Sequence, residues 1–124
     1  MNRPVERIDT EGWHLPLPFG KPYNSTSSAY EASRKAASGP CKLFGLQGYN
    51  SGAAQFILVI DDEELPANGA VPMIVIPAGA TSLFSAYFGT AGRWFDRGII
   101  LANSSTGPTL TIGAADCWFD AQYI

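Results

Sequence analysis

The sequence has 124 residues, of which 46% are hydrophobic and 15% charged, and its formal net charge is −3. This length fits one domain with one core, and 13 glycines and 9 prolines favour short strands and turns over helices. From Cys41 onward, three basic residues face seven acidic ones, which argues against binding nucleic acid. No apolar run approaches the ~18 residues of a membrane span, and the N-terminus lacks the apolar region of a signal peptide. We therefore expect a soluble protein, without a membrane or nucleic-acid partner, that is not exported by that route.

Residues 1–26 form a proline-rich segment, which we call the arm. Proline fixes φ and removes a backbone donor, so the arm is predicted to be an extended chain, neither a helix nor a central strand. A disordered linker would not need so many large apolar side chains, so we predict that the arm docks on its own domain or on a neighbouring subunit. A mobile tail is the alternative. The candidate contact residues of the arm are Trp13, Leu15, Leu17, Phe19 and Tyr23.

The segment that follows the arm contains the clearest strand signals. By propensity, residues 29–37 could form a short helix, but their length and the turn signal at residues 38–40 favour a strand that pairs in a hairpin. Residues 43–62 predict a hairpin, since two β-rich runs flank a turn at residues 50–52. The second run, residues 56–60, has no polar position. Both of its faces should therefore be covered.

The second half of the chain continues this pattern of short strands. Residues 71–76 (VPMIVI) are again apolar on both faces, with Pro72 near the start, where a missing donor is tolerable. Further β-rich runs occupy residues 81–88, 93–95, 99–101, 109–112 and 117–124. About eight strands with turn signals every ~8–12 residues predict an all-β antiparallel sandwich or jelly-roll-like domain. We assign residues 27–124 to this single domain.

The sequence leaves open which part of the protein, or which partner, covers the outer face of residues 56–60. One alternative is an ordinary two-sheet core, in which a loop or the arm shields the second face. The alternative we favour is a shield provided by the arm or by a sister subunit, since the chain offers no helix. The strand residues that would then form an interface are Phe56, Leu58, Ile60, Met73 and Val75.

Catalytic and metal-binding motifs are not found. The one histidine, His14, lies in the arm, and a single histidine with two separated cysteines has no zinc spacing. The glycines of residues 45–52 do not match a phosphate-binding loop. Cys41 and Cys117 are expected to be small buried residues, with a single bridge between them left open. We predict no enzymatic activity, no metal and no cofactor.

The carboxylates suggest two weaker possibilities. Residues 61–64 (DDEE) could hold a hard cation such as Ca²⁺, but four adjacent carboxylates at a strand end more often form a solvated turn. Asp96, Asp116 and Asp120, beside two tryptophans, could be imagined as a glycosidase pair. Sugar binding without hydrolysis is the favoured alternative. Its stacking platforms would be drawn from Trp94, Phe95, Trp118 and Tyr123.

Four stretches together resemble a known family. They are residues 27–34 (SSAYEASR), 48–57 (GYNSGAAQFI), 103–109 (NSSTGPT) and 112–122 (IGAADCWFDAQ). The combination is similar to small virion-structural proteins of tailed bacteriophages, and the resemblance covers residues 27–124. The arm looks particular to this chain. The resemblance supplies no catalytic or ligand residues.

The resemblance implies a β-rich component of a virion, assembled in the bacterial host cytoplasm. We expect a head decoration or cement protein that binds the major capsid protein and itself, for instance as a trimer. Low charge agrees with this, since it suits a protein whose surface is covered by partners. A tail, baseplate or fibre-associated module that binds glycan is the second hypothesis. A head–tail connector is the third, and it differs from the first only in copy number.

Overall fold

The structure is a computed structural model that describes residues 22–124. These residues form two antiparallel sheets packed as a sandwich, which confirms the predicted fold class. No helix that could cross a membrane occurs within them. The strands are β1 (Tyr23–Thr26), β2 (Ser33–Ser38), β3 (Cys41–Asn50), β4 (Gln55–Asp61), β5 (Ile74–Ala78), β6 (Ser82–Tyr87), β7 (Arg93–Phe95), β8 (Gly98–Ser104) and β9 (Cys117–Tyr123).

Sheet I has three edge strands, β1, β6 and β7, and sheet II has two, β2 and β5. Sheet I has the order β1-β9-β3-β6, and β7 pairs with β3 in addition. Sheet II has the order β2-β8-β4-β5. A short turn joins β5 to β6, and these two strands contact each other across the sandwich, as β1 and β2 do. One side of the sandwich therefore carries the edges of β5 and β6, and the opposite side carries those of β1 and β2.

The main core lies between the sheets and follows from period-2 alternation. In β9, Cys117, Phe119 and Ala121 are buried and alternate with half-buried residues on the outer face. The ring of Phe119 packs against Phe84 of β6, with 6.1 Å between ring centroids. Gly48 permits this approach, because a Cβ there would lie 2.1 Å from the carbonyl oxygen of Trp118. Each fully buried large apolar side chain contributes about 1.5–3 kcal/mol.

Both faces of β4 are covered, as predicted. Ile57 and Val59 belong to the main core, whereas Leu58 and Ile60 belong to a second cluster on the outer face of sheet II. This second cluster is completed by Ile100, Ala102 and Leu110, with Phe56, Ala70 and Ile112 packed against it. Loops of the same chain therefore form the cover. The favoured prediction, a cover by the arm or a sister subunit, is wrong for Leu58 and Ile60.

The predicted hairpin of residues 43–62 is also wrong, since β3 and β4 belong to different sheets. The turn at residues 50–52 carries the chain from one sheet to the other, and the Asn50 side chain holds it. Asn50 Nδ2 donates to the carbonyls of Ala53 (2.8 Å) and Gly79 (2.9 Å), and Asn50 Oδ1 accepts from the amide of Gly52 (3.0 Å). A buried side-chain amide whose hydrogen bonds are satisfied in this way can hold a turn that connects two sheets. The same turn residues therefore need not form a hairpin.

Four strand assignments differ in detail from the sequence-based ones. The strand predicted at residues 71–76 runs instead from Ile74 to Ala78 and includes Pro77. The strand predicted within residues 29–37 exists as β2, but it pairs with β8 in sheet II and not with a sequence neighbour. Residues 109–112 form no strand, apart from one bridge between Ile112 and Ser104. Residues 23–26, assigned to the arm, form β1 and pair with β9. Within the described part of the chain, the first sheet residue is Tyr23.

Candidate interaction surfaces

The open edge of sheet I is formed by β6, and its free backbone groups can be identified. The amide of Phe88 donates to the carbonyl of Phe44, at 2.9 Å, and so points towards β3. Backbone groups of a strand alternate in direction, so the even-numbered residues of β6 bond to β3. It follows that Leu83, Ser85 and Tyr87 direct their N–H and C=O groups to the open edge.

The same three residues of β6 carry exposed side chains. Leu83 is 74% exposed and Tyr87 is 76% exposed, while Ser85 is also exposed. Phe84, which alternates with them, is buried on the inner face. The β6 edge therefore combines free hydrogen-bonding groups with exposed apolar side chains at the same positions.

Within residues 22–124, the β6 edge lacks the usual protection of an edge strand. Natural sheets guard their edges with charges, prolines or very short strands. The edge strand β2 carries Arg34 and Lys35, which pair with Glu31 (3.0 Å) and Glu64 (2.7 Å). The edge strand β5 contains Pro77, and β1 has 4 residues. Residues 65–92, which include β6, have no charged residue and no histidine.

The predicted strand interface residues separate into two groups. Leu58 and Ile60 are buried within the chain, and Phe56 is half-buried beside Gly107. Met73, just before β5, and Val75, on the outer face of β5, remain exposed, at 37% and 42%. The exposed pair lies on the same side of the sandwich as the β6 edge. A partner could therefore contact Met73 and Val75, but not Leu58 or Ile60.

The predicted contact residues of the arm lie mostly outside the described residues. Trp13, Leu15, Leu17 and Phe19 precede residue 22, where the described chain begins. Tyr23 is described, and it is part of β1. Its ring lies 5.7 Å from that of Tyr123, centroid to centroid. Tyr23 is thus already paired within the sheet.

An aromatic row lies on the outer face of sheet I. Tyr49 of β3 is directly opposite Leu83 on one side and Trp118 on the other. Next to this row, Gln47 donates a hydrogen bond to Asp120, at 3.2 Å. A shallow groove of ≈ 360 Å³ runs between Trp118 and Leu83. Two neighbouring aromatic side chains, Tyr49 and Trp118, beside polar groups offer a surface on which a sugar ring can stack.

The four residues predicted as sugar platforms do not form one site. Phe95 is fully buried, and Tyr123 packs against the main core. Trp94 is 50% exposed, and its Nε1 donates to Asp96 at 2.6 Å. Trp94 pairs with Lys42 of β3, seven positions from Tyr49, so ~23 Å of strand separates it from the Trp118 row. The structure adds Tyr49 as a neighbour of Trp118, and the position of Tyr49 directly before the predicted turn at residues 50–52 did not reveal this contact.

The acidic turn of residues 61–64 has a structural role. The Asp61 carboxylate accepts backbone hydrogen bonds from Asp96 (3.0 Å), Arg97 (2.8 Å) and Gly98 (3.4 Å). Burial acts to raise the pKa of Asp61, but these three donors and the Arg97 charge outweigh it and lower that pKa. The Arg97 guanidinium also lies 3.4 Å from Asp62. Among residues 22–124, no group of three or more His, Cys, Asp or Glu side chains is placed to hold a metal ion.

The remaining carboxylates and the two thiols are dispersed. Asp120 accepts from Thr26, at 2.8 Å, on the outer face of β9. Cys41 and Cys117 are free and buried, and burial raises the pKa of both thiols. Cys117 lies opposite Asn50, nine positions along β3 from Cys41, so ~30 Å separates the two cysteines. The disulfide bridge that the sequence left open is thus absent.

Buried amides surround Cys117 where the two sheets meet. Gln55 Nε2 lies 3.5 Å from its sulfur, and Asn103 Nδ2 lies 3.7 Å away. Asn103 also donates to the carbonyl of Ala114, at 2.5 Å, while its Oδ1 has no partner among the described residues. These amides connect β4, β8 and β9. Sequence reasoning missed this cluster, since polar residues at strand ends are expected in turns.

Comparison with models of protein families, with curated proteins and with solved structures finds no match to this chain.

Proposed function

We propose that this chain is a non-enzymatic structural protein of a tailed-phage virion, and that it decorates the head by binding the major capsid protein and further copies of itself. The observation that carries this proposal is the open β6 edge, with its exposed Leu83 and Tyr87, inside a segment of 28 residues (65–92) without any charge. The sequence resemblance supports the same class of protein.

The β6 edge favours an assembled protein for an energetic reason. An unprotected edge strand pairs readily with other chains, so a protein that stayed alone would be at risk of aggregation. In a permanent assembly the same edge is covered by a partner strand, and its backbone groups then stabilise the assembly. Val71, Met73 and Val75 add exposed apolar surface at the neighbouring edge of sheet II, which suits an interface with a large partner.

The polar residues agree with a structural role. Asp61 is engaged by three backbone amides, and Asp120 is engaged by Thr26 and Gln47. Both thiols are buried with raised pKa values, which disfavours the reactive thiolate. These groups contribute to the fold, and nothing in their arrangement favours a reaction.

The copy number of the protein in purified virions tests this proposal. Quantitative mass spectrometry against the major capsid protein should find on the order of hundreds of copies, because a symmetric shell repeats each decoration site. A copy number in the tens or below would remove the decoration role. It would leave the connector role, which uses the same chemistry at a single vertex.

A glycan-binding tail module is the second candidate, and the row of Trp118, Tyr49 and Leu83 favours it. Glycan-array binding by the purified protein, lost in Trp118→Ala and retained in Trp94→Ala, would support this candidate. Loss in Trp94→Ala alone would instead place the contact at the far end of sheet I. Binding of no glycan by the wild-type protein would reject the candidate.

A further inference from the structure

We propose that residues 13–19 of one copy add as an antiparallel strand to the β6 edge of a second copy. This inference rests on the proposed function and deepens it, because it names a contact by which copies of the chain join. It gives the exposed side chains of Leu83 and Tyr87, and the free backbone groups between them, one specific occupant. Residues 13–19 lie outside the described residues, and their sequence alone is compared with the β6 edge.

The sequence of residues 13–19, WHLPLPF, is suited to pairing along one side. Backbone groups of successive residues in an extended strand point to opposite sides. Pro16 and Pro18 have no N–H, so the side of the even-numbered residues cannot support a ladder of hydrogen bonds. Leu15 and Leu17 keep their N–H groups on the other side. This segment could therefore add to a sheet as its last strand, because its other side cannot pair with a further strand.

The β6 edge and residues 13–19 match in both hydrogen bonding and side-chain chemistry. On β6, Leu83, Ser85 and Tyr87 carry the free N–H groups and direct their side chains to the outer face. In residues 13–19, the odd-numbered residues carry the usable N–H groups and all the large apolar side chains. Residues that exchange hydrogen bonds in an antiparallel pair place their side chains on the same face. Pairing would therefore bring residues such as Leu15 and Leu17 beside Leu83 and Tyr87.

The geometry of sheet I requires that the arm come from another copy. Phe19 is four residues before Tyr23, which is fixed in β1, so the two Cα atoms can be at most ~14 Å apart. A strand added beyond β6 lies four strand spacings from β1, which is ~19 Å. Phe19 therefore cannot reach the β6 edge of its own domain, so residues 13–19 can pair along that edge as a whole only when they come from another copy. A reciprocal exchange would give a dimer, and a head-to-tail exchange would give a ring.

Two blocking variants of the full-length chain test the proposal. Ser85→Pro removes one outward N–H from the β6 edge, and Leu15→Lys with Leu17→Lys places charges on the pairing face of the arm. Sedimentation velocity over a concentration series should show that the wild-type protein associates. Each blocking variant should weaken that association by at least about tenfold, since backbone hydrogen bonds and apolar contacts are lost. The matched controls Ser85→Ala and His14→Lys should stay within about twofold of wild type.

Mixing the two blocking variants gives the sharpest readout. One variant has an intact arm and the other an intact edge, so the mixture should form a one-to-one complex that neither variant forms alone. Thermal unfolding should first show that each variant is folded, and Leu83→Lys with Tyr87→Lys replaces Ser85→Pro if the proline prevents folding.

Three results would overturn the proposal: a wild-type protein that stays monomeric at ~1 mM, blocking variants that associate like wild type, or folded variants that do not complement. A monomeric protein that is still present in hundreds of copies per virion would reject this contact and leave the proposed function in place.

Discussion

The strands β4 and β6 both carry large apolar side chains, with one charge in β4, at Asp61, and none in β6, yet their surroundings in the fold differ. β4 lies between β8 and β5, with one face on the main core and the other under loops of the same chain. β6 pairs with β3 alone and leaves Leu83 and Tyr87 exposed. The comparison teaches that exposed-face apolar residues in a strand indicate that something covers that face. The position of the strand in the sheet decides whether the covering residues belong to the same chain or to a partner.

The largest expected effect falls on β4. Leu58→Ala should lower the free energy of unfolding by about 2–5 kcal/mol, because it opens a cavity in the second cluster. The matched control is Leu65→Ala, the same substitution at a side chain that is 43% exposed, which should cost less than about 1 kcal/mol. Urea unfolding measures both. Equal costs would mean that loops of the chain do not cover the outer face of β4.

The attachment of β6 to the sheet is tested at Gly48. Gly48→Ala should cost about 1–3 kcal/mol, since the new methyl group would overlap the Trp118 carbonyl and the Phe84 ring and force them apart. Gly45→Ala, in the same strand, is the control because its nearest neighbour is the flexible end of Gln122, at 3.1 Å. Chemical denaturation of both variants should separate them clearly. A Gly48→Ala protein as stable as the Gly45→Ala protein would contradict this packing.

The role of Asp61, the last residue of β4, is tested by the pH dependence of the free energy of unfolding. The folded-state pKa of Asp61 is lowered, so its contribution is present above the unfolded value of about 3.9 and is lost as the pH falls through the folded value. Asp61→Asn should therefore be less stable than wild type at pH 7, by on the order of 1–2 kcal/mol. The difference should shrink as the pH falls below about 4. Thermal unfolding from pH 7 to pH 2 measures it, and a difference independent of pH would refute the assigned role of the carboxylate.

The smallest effect on stability is expected on β6. Leu83→Ala and Tyr87→Ala should each change the free energy of unfolding by no more than about 0.5 kcal/mol, because both side chains are largely exposed. Their effect should appear in self-association instead, measured by sedimentation at matched concentrations. A large loss of stability without any change in association would reverse the distinction between β4 and β6.

The sequence predicted the fold class and the double cover of β4, because both follow from local alternation and composition. It did not predict which strands pair. The turn at residues 50–52 has hairpin chemistry, but the Asn50 amide binds the carbonyls of Ala53 and Gly79 and so connects two sheets. A pairing that depends on such distant contacts cannot be found from a local pattern.

The candidate surface was only partly predictable for a related reason. Met73 and Val75 were identified from their apolar character, and the structure leaves them exposed. Leu58 was identified by the same criterion, yet Leu110, 52 residues further along the chain, packs over its cluster. Leu83 and Tyr87 were not singled out, since alternation in residues 81–88 is imperfect. Their importance comes from the edge position of β6, which is a property of the sheet order.

Hydrogen exchange at the amides of β6 tests the central claim most directly, because alternate residues of one strand serve as each other's control. In the dilute full-length protein, the amides of Phe84 and Ala86 should exchange slowly, and those of Leu83, Ser85 and Tyr87 should exchange rapidly. At concentrations at which the protein associates, we predict that these three amides also become protected. Association that leaves them exchanging as rapidly as in the dilute protein would contradict the account.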